Sequence, residues 1–467
     1  MSAREPARLY GSDRTPAEQR AALTGGDVPV AVHGLGKLGL PLATVYAGVT
    51  GNVVGVDIDP DVVDAVNRGD CPVENEPGLA GAVASAVEAG MLRATAEPRA
   101  GAEAATLHVL VVPTLVADGE PDLSALTDAV RAVGTGLREG EMVVVESTVP
   151  PGTCRELVEP ALAVESGLDP EEFGLAFCPE RTSSGRALRD IRSSYPKVVG
   201  GADPESRRVA ELVYGEVTTN EVIPVADCTT AECVKVFEGV YRDVNIALAN
   251  ELARLAPELG VDVREAIAVA NTQPYCDIHD PGPGVGGHCI PYYPQFLVAG
   301  CETETPLLER ARAVNDGMAR VTVDRLADEL AAEGRSLEGA RVLLLGVTYR
   351  AGVDETRASP AVPIARELGA AGATVYAADP VCSDMSVIDA VPTTAADLGA
   401  LDPDAAVLVT AHDAFRSLPW ADCEDVVVLD TRDALEDAGP HRLVTLGDGT
   451  AGGESGPRAG TDARDTV

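Results

Sequence analysis

The residue best suited to nucleophilic chemistry lies in a glycine-rich segment at residues 281–291, PGPGVGGHCIP. The glycines and prolines make a helix or a strand implausible, so the backbone must form a loop that can approach a ligand closely. Cys289 follows this stretch of bare backbone, directly after His288. A thiol in such a setting is a candidate nucleophile. Taken alone, the segment fits a glycine-rich surface loop with an incidental cysteine equally well.

A second candidate site is a glycine turn that fits a dinucleotide phosphate. The sequence VPVAVHGLGKLGLPLATVYAG places Gly34, Gly36 and Gly39 between a short β-branched run and a small-residue helix. The next apolar run ends on Asp57. In such a βαβ unit the glycines and the helix N-terminus face the pyrophosphate, and the acidic residue holds the ribose hydroxyls. The pattern predicts NAD rather than NADP, because the carboxylate of Asp57 would repel a 2′-phosphate.

Three polar residues follow predicted strands. Short apolar runs within residues 106–177 alternate with alanine-rich helical stretches, which is typical of a parallel, doubly wound sheet. Ligands bind beyond the carboxyl ends of the strands in such sheets. Thr114, Thr148 and Glu180 come directly after these runs and are therefore candidates for contacts to a cofactor or a substrate. A role as a turn or helix-cap residue stays open for each of them.

A long helix is predicted between residues 229 and 259, because apolar residues recur there at helical spacing. It would join two domains and bury one face, and Lys235, Arg242 and Asn245 share one of its sides. The chain has only three lysines, which favours a functional role for Lys235 over a solvated polar face. Lys37 lies inside the glycine turn, where a cation near phosphates and a solvated side chain are equally good interpretations.

The composition excludes several classes of partner. The formal net charge is −38, from 74 acidic and 36 basic residues spread along the chain. Such a surface repels nucleic acid and anionic membranes, and it is typical of a protein that works in concentrated salt. No apolar run reaches membrane-spanning length, and the N-terminal residues lack the apolar core of a signal peptide. The ten cysteines are scattered without a CxxC pair, so we expect free thiols in a reducing cytoplasm.

The expected fold class is α/β, with two Rossmann-like doubly wound domains joined by the long central helix. More helix is expected at residues 306–333, and the apolar runs after it lack a second GxGxxG, so we expect no second dinucleotide there. The predicted segments are a flexible leader (1–27), an NAD-binding domain (28–225), a central helical domain with the active-site loop (226–335), a second Rossmann-like domain (336–450) and a disordered tail (451–467).

With these residues in place, the chain resembles nucleotide-sugar dehydrogenases of the UDP-glucose/GDP-mannose dehydrogenase family. The resemblance covers about residues 28–449 and rests on GLGKLGLP, ESTVPPGT, CPER, AECVK, RDVNIALANE, PGPGVGGHCIP, LGVTYR, DETRASP and DTRD. RDVNIALANE and PGPGVGGHCIP favour the UDP-N-acetylmannosamine branch over the UDP-glucose branch. In this family a long helix joins the two Rossmann-like domains and also forms the dimer. The resemblance therefore implies a homodimer and a C-terminal domain that binds the UDP-sugar.

The resemblance also implies an activity, which is two NAD-dependent oxidations at C6 of a UDP-sugar, from alcohol through aldehyde to carboxylate. UDP-N-acetyl-D-mannosamine is the favoured substrate, with UDP-glucose and UDP-N-acetylglucosamine as alternatives. By analogy, Cys289 attacks the aldehyde as a thiolate, and water cleaves the thioester that forms after the second oxidation. Lys235 matches the family's lysine near the thiol and the oxyanion. Thr148 matches its hydrogen-bonding threonine, and Glu180 its acid or base.

Binding residues are implied in the same way. Tyr349, Arg350 and Arg432 match family positions that hold the nucleotide-sugar, and Arg357 matches one that reaches the cofactor. The candidates for the substrate are Lys235, Arg242, Asn245, Gly286, Tyr349, Arg350 and Arg432. The candidates for the cofactor are Gly34, Leu35, Gly36, Lys37, Leu38, Gly39, Asp57, Thr114, Thr148 and Arg357.

Two residues depart from the family pattern. Gly239 stands where the family usually has an asparagine that helps to bind substrate and hold the oxyanion. Tyr293 stands where it usually has an aspartate that activates water. These departures predict that hydrolysis of the thioester is the weak step, and they keep open a catalytically retired sensor of sugar nucleotides.

A metal-binding protein is the alternative of a different class. Two pairs of residues close in sequence, Cys276 with His279 and His288 with Cys289, could supply four zinc ligands. The adjacency of His288 and Cys289 would strain a tetrahedral site, and the glycine-rich spacer is not a zinc-knuckle pattern. The enzyme interpretation, with no metal, is therefore preferred.

Overall fold

The computed structural model describes most of the chain, and the tail predicted to be disordered from residue 451 lies outside the described part. Among the described residues, no helix combines the length and the apolar character needed to cross a membrane. The structure describes residues 6–117, 119–182 and 185–450.

These residues form two compact units. The first unit runs to Phe237 and also contains Gln295–Cys301. The second comprises Glu238–Pro294 and continues from Glu302.

The first unit is built on an eight-stranded sheet and a separate two-stranded hairpin. Its strands are β1 (Val30–His33), β2 (Val53–Val56), β3 (Leu92–Thr95), β4 (Leu107–Leu110), β5 (Leu115–Ala117), β6 (Glu120–Asp122), β7 (Met142–Val145), β8 (Gly174–Phe177), β9 (Lys197–Gly201) and β10 (Val222–Pro224). The order in the sheet is β10-β9-β8-β7-β4-β1-β2-β3, and β5 pairs with β6. The chain therefore leaves β1 toward β2 on one side and returns to β4 on the other, which creates a switch point between β1 and β4.

Helices cover both faces of this sheet. They are α1 (Pro16–Thr24), α2 (Gly39–Thr50), α3 (Pro60–Arg68), α4 (Leu79–Glu88), α5 (Pro98–Glu103), α6 (Ser124–Gly134), α7 (Glu159–Ser166), α8 (Ala187–Ser193), α9 (Pro204–Val217) and the start of α10 (Cys228–Leu259). Alternate residues of a buried strand point to opposite faces. In β7, Met142 and Val144 belong to one apolar cluster, whereas Val143 and Val145 belong to the other.

Two strands of this sheet, β9 and β10, run antiparallel to the other six. The sequence predicts a parallel sheet, but β9 pairs antiparallel with β8, and β10 follows β9 in parallel. The chain between β8 and β9 is too irregular in sequence to indicate this reversal. Its consequence is that β9 begins at the edge of the sheet where β7 and β8 end.

The second unit contains a fully parallel sheet of six strands. They are β11 (Arg341–Leu345), β12 (Thr374–Ala378), β13 (Val391–Pro392), β14 (Ala405–Leu408), β15 (Val427–Asp430) and β16 (Arg442–Thr445), in the order β13-β12-β11-β14-β15-β16. The helices are the rest of α10, α11 (Val263–Ala270), α12 (Tyr293–Val298, whose residues from Gln295 onward belong to the first unit), α13 (Pro306–Ala332), α14 (Ala361–Ala370) and α15 (Leu398–Leu401). Apolar clusters on both faces of β11 confirm the doubly wound prediction.

The two long helices confirm their predictions closely. α10 begins one residue before the predicted range and ends at Leu259, with Pro257 in its last turn. α13 begins at Pro306, where the missing amide hydrogen of proline costs no helical hydrogen bond.

The prediction of a flexible leader over residues 1–27 is wrong for the part that the structure describes. α1 begins with a capping box in which Thr15 accepts from the amide of Glu18 and Glu18 accepts from that of Thr15. Leu9 and Leu23 are buried, and the side chain of Gln19 donates to the carbonyl of Leu9 at 2.9 Å. The spacing of Thr15 and Glu18 in the sequence already signals this helix, but a helix of nine residues is too short to show a clear hydrophobic period.

Three buried ionisable side chains, His33, His108 and Glu141, form a cluster in the first unit. The two imidazole centroids are 5.9 Å apart, and Nε2 of His108 is 3.7 Å from Oε2 of Glu141. Nε2 of His33 and both ring nitrogens of His108 have no hydrogen-bond partner. Burial, with a smaller contribution from His108, lowers the pKa of His33 to about 3.

We predict that the free energy of unfolding falls less between pH 7 and pH 5 in His33→Leu than in the wild type. An unfolded histidine has a pKa near 6.5, whereas folded His33 stays neutral down to about pH 3. Below pH 6.5 the unfolded chain binds a proton at His33 that the folded protein cannot bind. The free energy of unfolding should therefore fall by about 2 kcal/mol between pH 7 and pH 5 because of this residue. Urea titrations at pH 7 and pH 5 measure this difference in the free energy of unfolding.

His441→Leu is the matched control, because it removes a half-buried histidine in the second unit and leaves His33 in place. The part of the fall in stability between pH 7 and pH 5 that His33 causes should persist in this variant. An unchanged difference between pH 7 and pH 5 in His33→Leu would contradict the prediction.

Candidate active site

The turn between β1 and α2 has the geometry of a pyrophosphate cradle. Gly34 has φ +95°, and a Cβ there would lie 2.3 Å from the carbonyl oxygen of Val111. A Cβ on Gly39 would lie 1.9 Å from the carbonyl oxygen of Gly34, so this glycine lets the helix pack on the turn. A Cβ on Gly36 would meet nothing within 4 Å. The turn is thus closed toward the protein and open at Gly36, where a phosphate can approach the backbone.

The carboxylate of Asp57 lies at the end of β2, next to this turn. It accepts a hydrogen bond from the amide of Leu35 at 2.8 Å and from that of Asp59 at 3.0 Å. Leu38, which precedes α2, has no side chain able to cap the helix, so the helix N-terminus is available to an anion. Lys37 is exposed in the same turn. These groups fit the phosphates and a ribose of NAD.

The predicted threonines lie together at the carboxyl ends of neighbouring strands. Thr114 follows β4, Thr148 follows β7, and the hydroxyl of Thr114 donates to the carbonyl of Thr148 at 2.5 Å. The hydroxyl of Ser147 bonds to the amide and the carbonyl of Val112 at 2.9 and 2.8 Å. Ser147 therefore ties the two strand ends together.

Glu180 lies in a buried ionic cluster that sequence reasoning missed. Nζ of Lys197 is 3.2 Å from Oε2 of Glu180 and 2.8 Å from Oε2 of Glu146. The hydroxyl of Tyr214 donates to the other oxygen of Glu146. The sequence pattern assigns no function to Lys197, although it is one of the three lysines of the chain.

Lys235 belongs to the same unit and is held near this cluster by the start of α10. Its charge contributes to lowering the pKa of Glu180. Three residues earlier, the buried carboxylate of Glu232 accepts from the amides of Gly152 and Cys154 at 2.5 and 2.8 Å. Glu232 thus fastens the turn after Thr148 to the helix that carries Lys235, and it is a second positioning group that the sequence did not reveal.

In the second unit, buried side chains hold the start of the glycine-rich loop. The amide of Gly282 donates to Asn250 on α10 at 2.8 Å, and Asn250 donates to Asn315 on α13 at 2.9 Å. The guanidinium of Arg264 donates to the carbonyl of Pro281 at 2.8 Å and to that of Thr431 at 3.0 Å. The loop therefore starts from a fixed point between two long helices.

The end of the loop is clamped by the segment after β11. The amide of Gly287 donates to the carbonyl of Arg357 at 2.9 Å, and Nε2 of His288 is 2.9 Å from Oε2 of Glu355. Glu355 also lies 3.6 Å from the guanidinium of Arg357. Cys289 follows this clamp and is exposed. The thiol is thus presented on a backbone that is fixed on both sides.

Tyr349 explains why the loop contains glycine. A Cβ on Gly286 would lie 2.7 Å from Cβ of Tyr349, and one on Gly287 would lie 2.9 Å from its ring. Burial raises the pKa of Tyr349, and the neighbouring Arg350 partly offsets this rise. Tyr349 therefore lies beside the loop, and Arg350 lies close enough to act on its phenol.

Arg432 lies against the start of the loop, where a Cβ on Gly282 would be 2.8 Å from its guanidinium. Its Nε donates to the carbonyl of Val409 at 2.9 Å. Burial, with a smaller contribution from Arg264, lowers the pKa of Arg432 to about 10. Burial also lowers the pKa of Arg264, so two partly dehydrated guanidinium groups lie at the carboxyl edge of the second sheet.

Asn245 has a structural use that differs from direct substrate contact. Its amide group donates to the carbonyl of Asp277 at 2.7 Å, and its oxygen accepts from the amide of His279 at 2.8 Å. Both ends of the side chain are therefore engaged with the segment that leads into the loop. Arg242 is half-buried on the same helix and takes part in further interactions.

The four residues of the zinc alternative do not form a ligand set. Among the residues that the structure describes, no group of three or more His, Cys, Asp or Glu side chains could hold a metal ion. Sγ of Cys276 lies 3.4 Å from Oδ1 of Asn271, and His288 pairs with Glu355. These contacts favour a role of the segment in shaping the loop.

Family models match the chain in three segments: the NAD binding domain over residues 28–218, the central domain over 229–317 and the UDP binding domain over 343–437. The chain belongs to the UDP-glucose/GDP-mannose dehydrogenase family. It is therefore an NAD-dependent nucleotide-sugar dehydrogenase, which confirms the predicted cofactor and class of enzyme.

Individual relatives cover nearly the whole chain. The NDP-N-acetyl-D-galactosaminuronic acid dehydrogenase of Ralstonia nicotianae is 36% identical over 417 residues, which are 86% of this chain and 95% of the relative. The UDP-N-acetyl-D-mannosamine dehydrogenase of Methanococcus maripaludis is 33% identical over 419 residues, 87% of this chain and 93% of the relative. The structure of the UDP-D-ManNAc dehydrogenase from Pyrococcus horikoshii has a TM-score of 0.83 at 32% identity, covering 91% of this chain and 100% of that chain.

The second Rossmann-like domain has a similar glycine turn, but hydrogen bonds within the protein occupy the carboxylate beside it. Gly346 after β11 has φ +97°, much like Gly34 after β1, and Asp379 after β12 stands where β2 has Asp57. Six donors occupy the oxygens of Asp379, which are the amides of Val347, Thr348, Val381 and Cys382, the hydroxyl of Thr348 and Nε2 of His412. A carboxylate so fully engaged has no lone pair left for ribose hydroxyls, which supports the expectation of a single dinucleotide site.

The two departures from the family pattern lie against each other in the second unit. A Cβ on Gly239 would be 2.1 Å from Cδ2 of Tyr293, and the tyrosine side chain is buried against this part of α10. The amide of Tyr293 donates to the carbonyl of Cys289 at 2.9 Å. The tyrosine ring thus needs a glycine at position 239, and the pair fixes the helical turn that begins at Cys289.

We predict that Gly239→Ala destabilises the wild-type protein but stabilises the Tyr293→Ala variant. In the wild-type protein the new methyl group overlaps the ring of Tyr293 and should lower the free energy of unfolding by about 1–3 kcal/mol. In a Tyr293→Ala background the overlap is gone, and alanine should stabilise α10 by up to about 1 kcal/mol. Denaturant titrations of the four proteins measure both differences.

Gly317→Ala is the control, because a Cβ at this position in α13 meets nothing within 4 Å. It should stabilise the protein in both backgrounds. A loss of stability from Gly239→Ala that persists in the Tyr293→Ala background would refute the pairing.

Proposed function

We propose that this enzyme oxidises C6 of a UDP-linked N-acetylhexosamine to the carboxylate in two steps, through a covalent intermediate on Cys289. The observation that carries the proposal is an exposed thiol on a loop clamped at both ends, beside a phenol and two dehydrated guanidinium groups. A thiolate adds readily to an aldehyde, and the thiohemiacetal then gives up a hydride to leave a thioester. NAD, when bound, accepts the hydride in each oxidation.

The first unit supplies the groups for proton transfer and charge stabilisation. Glu180 is the proposed base, since the pKa of its carboxyl is lowered: burial opposes ionisation, but Lys197, the amide of Arg181 and Lys235 outweigh it. Lys235 is proposed to stabilise the oxyanion and the thiolate, and Thr148 to hold the reacting hydroxyl by a hydrogen bond.

The second unit supplies the groups for the nucleotide-sugar. We assign the diphosphate to Arg432, since dehydrated guanidinium groups bind phosphate oxygens in pairs of hydrogen bonds. Tyr349 and Arg350 border the loop and would contact the sugar or the nucleotide. Gly286 lets Tyr349 pack directly on the backbone of the loop. Arg357 is assigned to the cofactor by the family resemblance.

An N-acetylhexosamine is the proposed sugar because it is common to the names of the relatives from Ralstonia, Methanococcus and Pyrococcus. UDP-N-acetyl-D-mannosamine ranks first, since two of these three names specify it. UDP-N-acetylgalactosamine, UDP-N-acetylglucosamine and UDP-glucose are the competing substrates. The choice among them depends on the shape of the pocket around one or two hydroxyl groups.

Thioester hydrolysis is the proposed slow step. The buried ring of Tyr293 offers no carboxylate to activate water, and its fit to Gly239 leaves no space there for an amide. The oxidations need no activated water, so the acyl-enzyme should accumulate while NADH forms.

We predict that the purified enzyme, assayed in high salt with a panel of UDP-sugars, releases two NADH for each uronate. Cys289→Ala should lower uronate formation at least ~10³-fold, because no thioester can form. Rapid quenching followed by intact-protein mass spectrometry should reveal a sugar adduct on the wild type. Cys301→Ala, which removes another exposed cysteine, is the control and should keep the wild-type rate.

Three results would oppose these proposals. Uronate formation by Cys289→Ala would exclude the covalent route. Complete conversion at a rate typical of the family with no adduct would exclude slow hydrolysis. A wild type that binds UDP-sugars but releases no NADH would favour the sensor interpretation.

We also propose a homodimer formed through α10. Tyr241, Leu248 and Leu255 recur at seven-residue spacing on this helix and are 51%, 48% and 41% exposed. Leu259, at the end of the helix, is 60% exposed. A stripe of large apolar side chains is costly to leave in water, and a second copy offers the same stripe through a two-fold axis.

Charge placed in this stripe should separate the subunits. We predict that the double substitution Leu248→Glu and Leu255→Glu reduces the mass measured by light scattering from two chains to one. Val164→Glu changes an exposed valine on α7 and should leave the dimer intact. A wild type that scatters as a single chain at micromolar concentration would overturn the proposal.

A further inference from the structure

A buried ammonium group lies between two carboxylates in the first unit, outside the roles assigned so far. Nζ of Lys197 is 2.8 Å from Glu146 and 3.2 Å from Glu180. The side chains of Lys197, Glu146 and Glu180 are 11%, 0% and 8% exposed. The ammonium also lies 4.7 Å from the centre of the Tyr214 ring. Such groups are kept in a protein interior only when they satisfy one another.

The reversal of β9 brings these groups together. Glu146 directly follows β7, and Glu180 lies three residues after β8. Lys197 is the first residue of β9, which runs antiparallel to β8, so it starts at the edge where β7 and β8 end. In an all-parallel sheet the first residue of this strand would lie at the opposite edge, far from either carboxylate.

The two carboxylates are not equivalent. The pKa of Glu146 is raised to about 7, chiefly by its burial, although Lys197 opposes this rise. The pKa of Glu180 is lowered, because its burial is outweighed by Lys197, the amide of Arg181 and Lys235. Burial opposes the charge of Lys197, but the two carboxylates raise its pKa well above the usual range. Lys197 is therefore the largest of the groups that keep Glu180 ionised.

Glu180 and Lys197 also line a pocket, together with Arg181, Asp190 and Tyr214. Glu180 thus contacts both the buried cluster on one side and open space on the other. The charged and titratable groups that act on the cluster from neighbouring elements are Tyr46 on α2, Cys178 after β8, Arg181, Asp190, Tyr214 on α9 and Lys235 on α10.

We propose that Lys197 is a positioning residue for Glu180: anchored on Glu146, its ammonium holds the Glu180 carboxylate ionised and fixed at the wall of the pocket. This proposal rests on the proposed function, in which Glu180 is the base. Lys197 acts through Glu180 and does not itself contact the substrate. It adds a role for a residue whose own sequence context, YPKVVG, indicates only a strand.

The test compares Lys197→Met, Lys197→Arg and the double variant Lys197→Met with Glu146→Gln. Loss of the ammonium should lower kcat by ~10–100-fold at pH 7 with little change in KM, and shift the acid limb of the pH profile upward by about 1 unit or more. Lys197→Arg should restore most of kcat and the position of the limb, because the charge is kept. The double variant has no unpaired buried carboxylate at position 146. It should therefore fold even if Lys197→Met alone fails to fold.

A second readout is independent of activity. Infrared difference spectra over a pH titration, with Glu180→Gln as reference, follow the protonated carboxyl band of Glu180 in each protein. The band should appear at higher pH in the double variant than in the wild type. Tyr214→Phe, which removes the phenol from Glu146 and keeps the ammonium, should leave the band of Glu180 in place.

The two proposals fail in different ways. A wild type that oxidises no UDP-sugar would rule out the proposed function. The infrared titration would still decide whether Lys197 positions Glu180. A folded double variant with an unshifted pH profile and an unshifted Glu180 band would overturn the role of Lys197 alone.

Discussion

A buried ammonium must be matched by buried anions, and much of the first unit is arranged to satisfy that requirement. Lys197 carries its charge into the interior, where the carboxylates of Glu146 and Glu180 lie within hydrogen-bond distance. The reversed strand β9, the phenol of Tyr214 and the ends of β7 and β8 all take the positions that this arrangement needs. An ionised Glu180 at the wall of a pocket is its chemical result.

Close packing against bare backbone shapes the glycine turn of the first unit and the glycine-rich loop of the second. Gly39 packs against the carbonyl of Gly34, and Gly286 packs against Tyr349, at distances that no Cβ allows. The same constraint links the two departures from the family pattern, because the ring of Tyr293 occupies the space above Gly239. The two departures therefore depend on each other, since Gly239 provides the space that the tyrosine ring fills. A chain that acquired the tyrosine while keeping a side chain at position 239 would lose the packing on α10.

Much of the fold followed from local patterns. The strands β7 and β8, the helix α10 and the glycine turn at Gly34 were all predicted, because periodicity and turn chemistry act over a few residues. The flexible leader was wrong, since α1 owes its stability to a capping box and to buried contacts of Leu9. The direction of β9 was missed because nothing in a four- or five-residue apolar run encodes whether it pairs parallel or antiparallel.

The sequence by itself determined the class of enzyme, and it indicated the cofactor turn and Cys289 as the candidate thiol, because each depends on residue types at fixed spacing. Only the tertiary structure revealed Lys197 between its carboxylates, Glu232 on the amides after Thr148, and Tyr293 over Gly239. These contacts join residues from elements that are distant along the chain. Their energies come from burial and from the pairing of charges, which exist only once the sheets have formed.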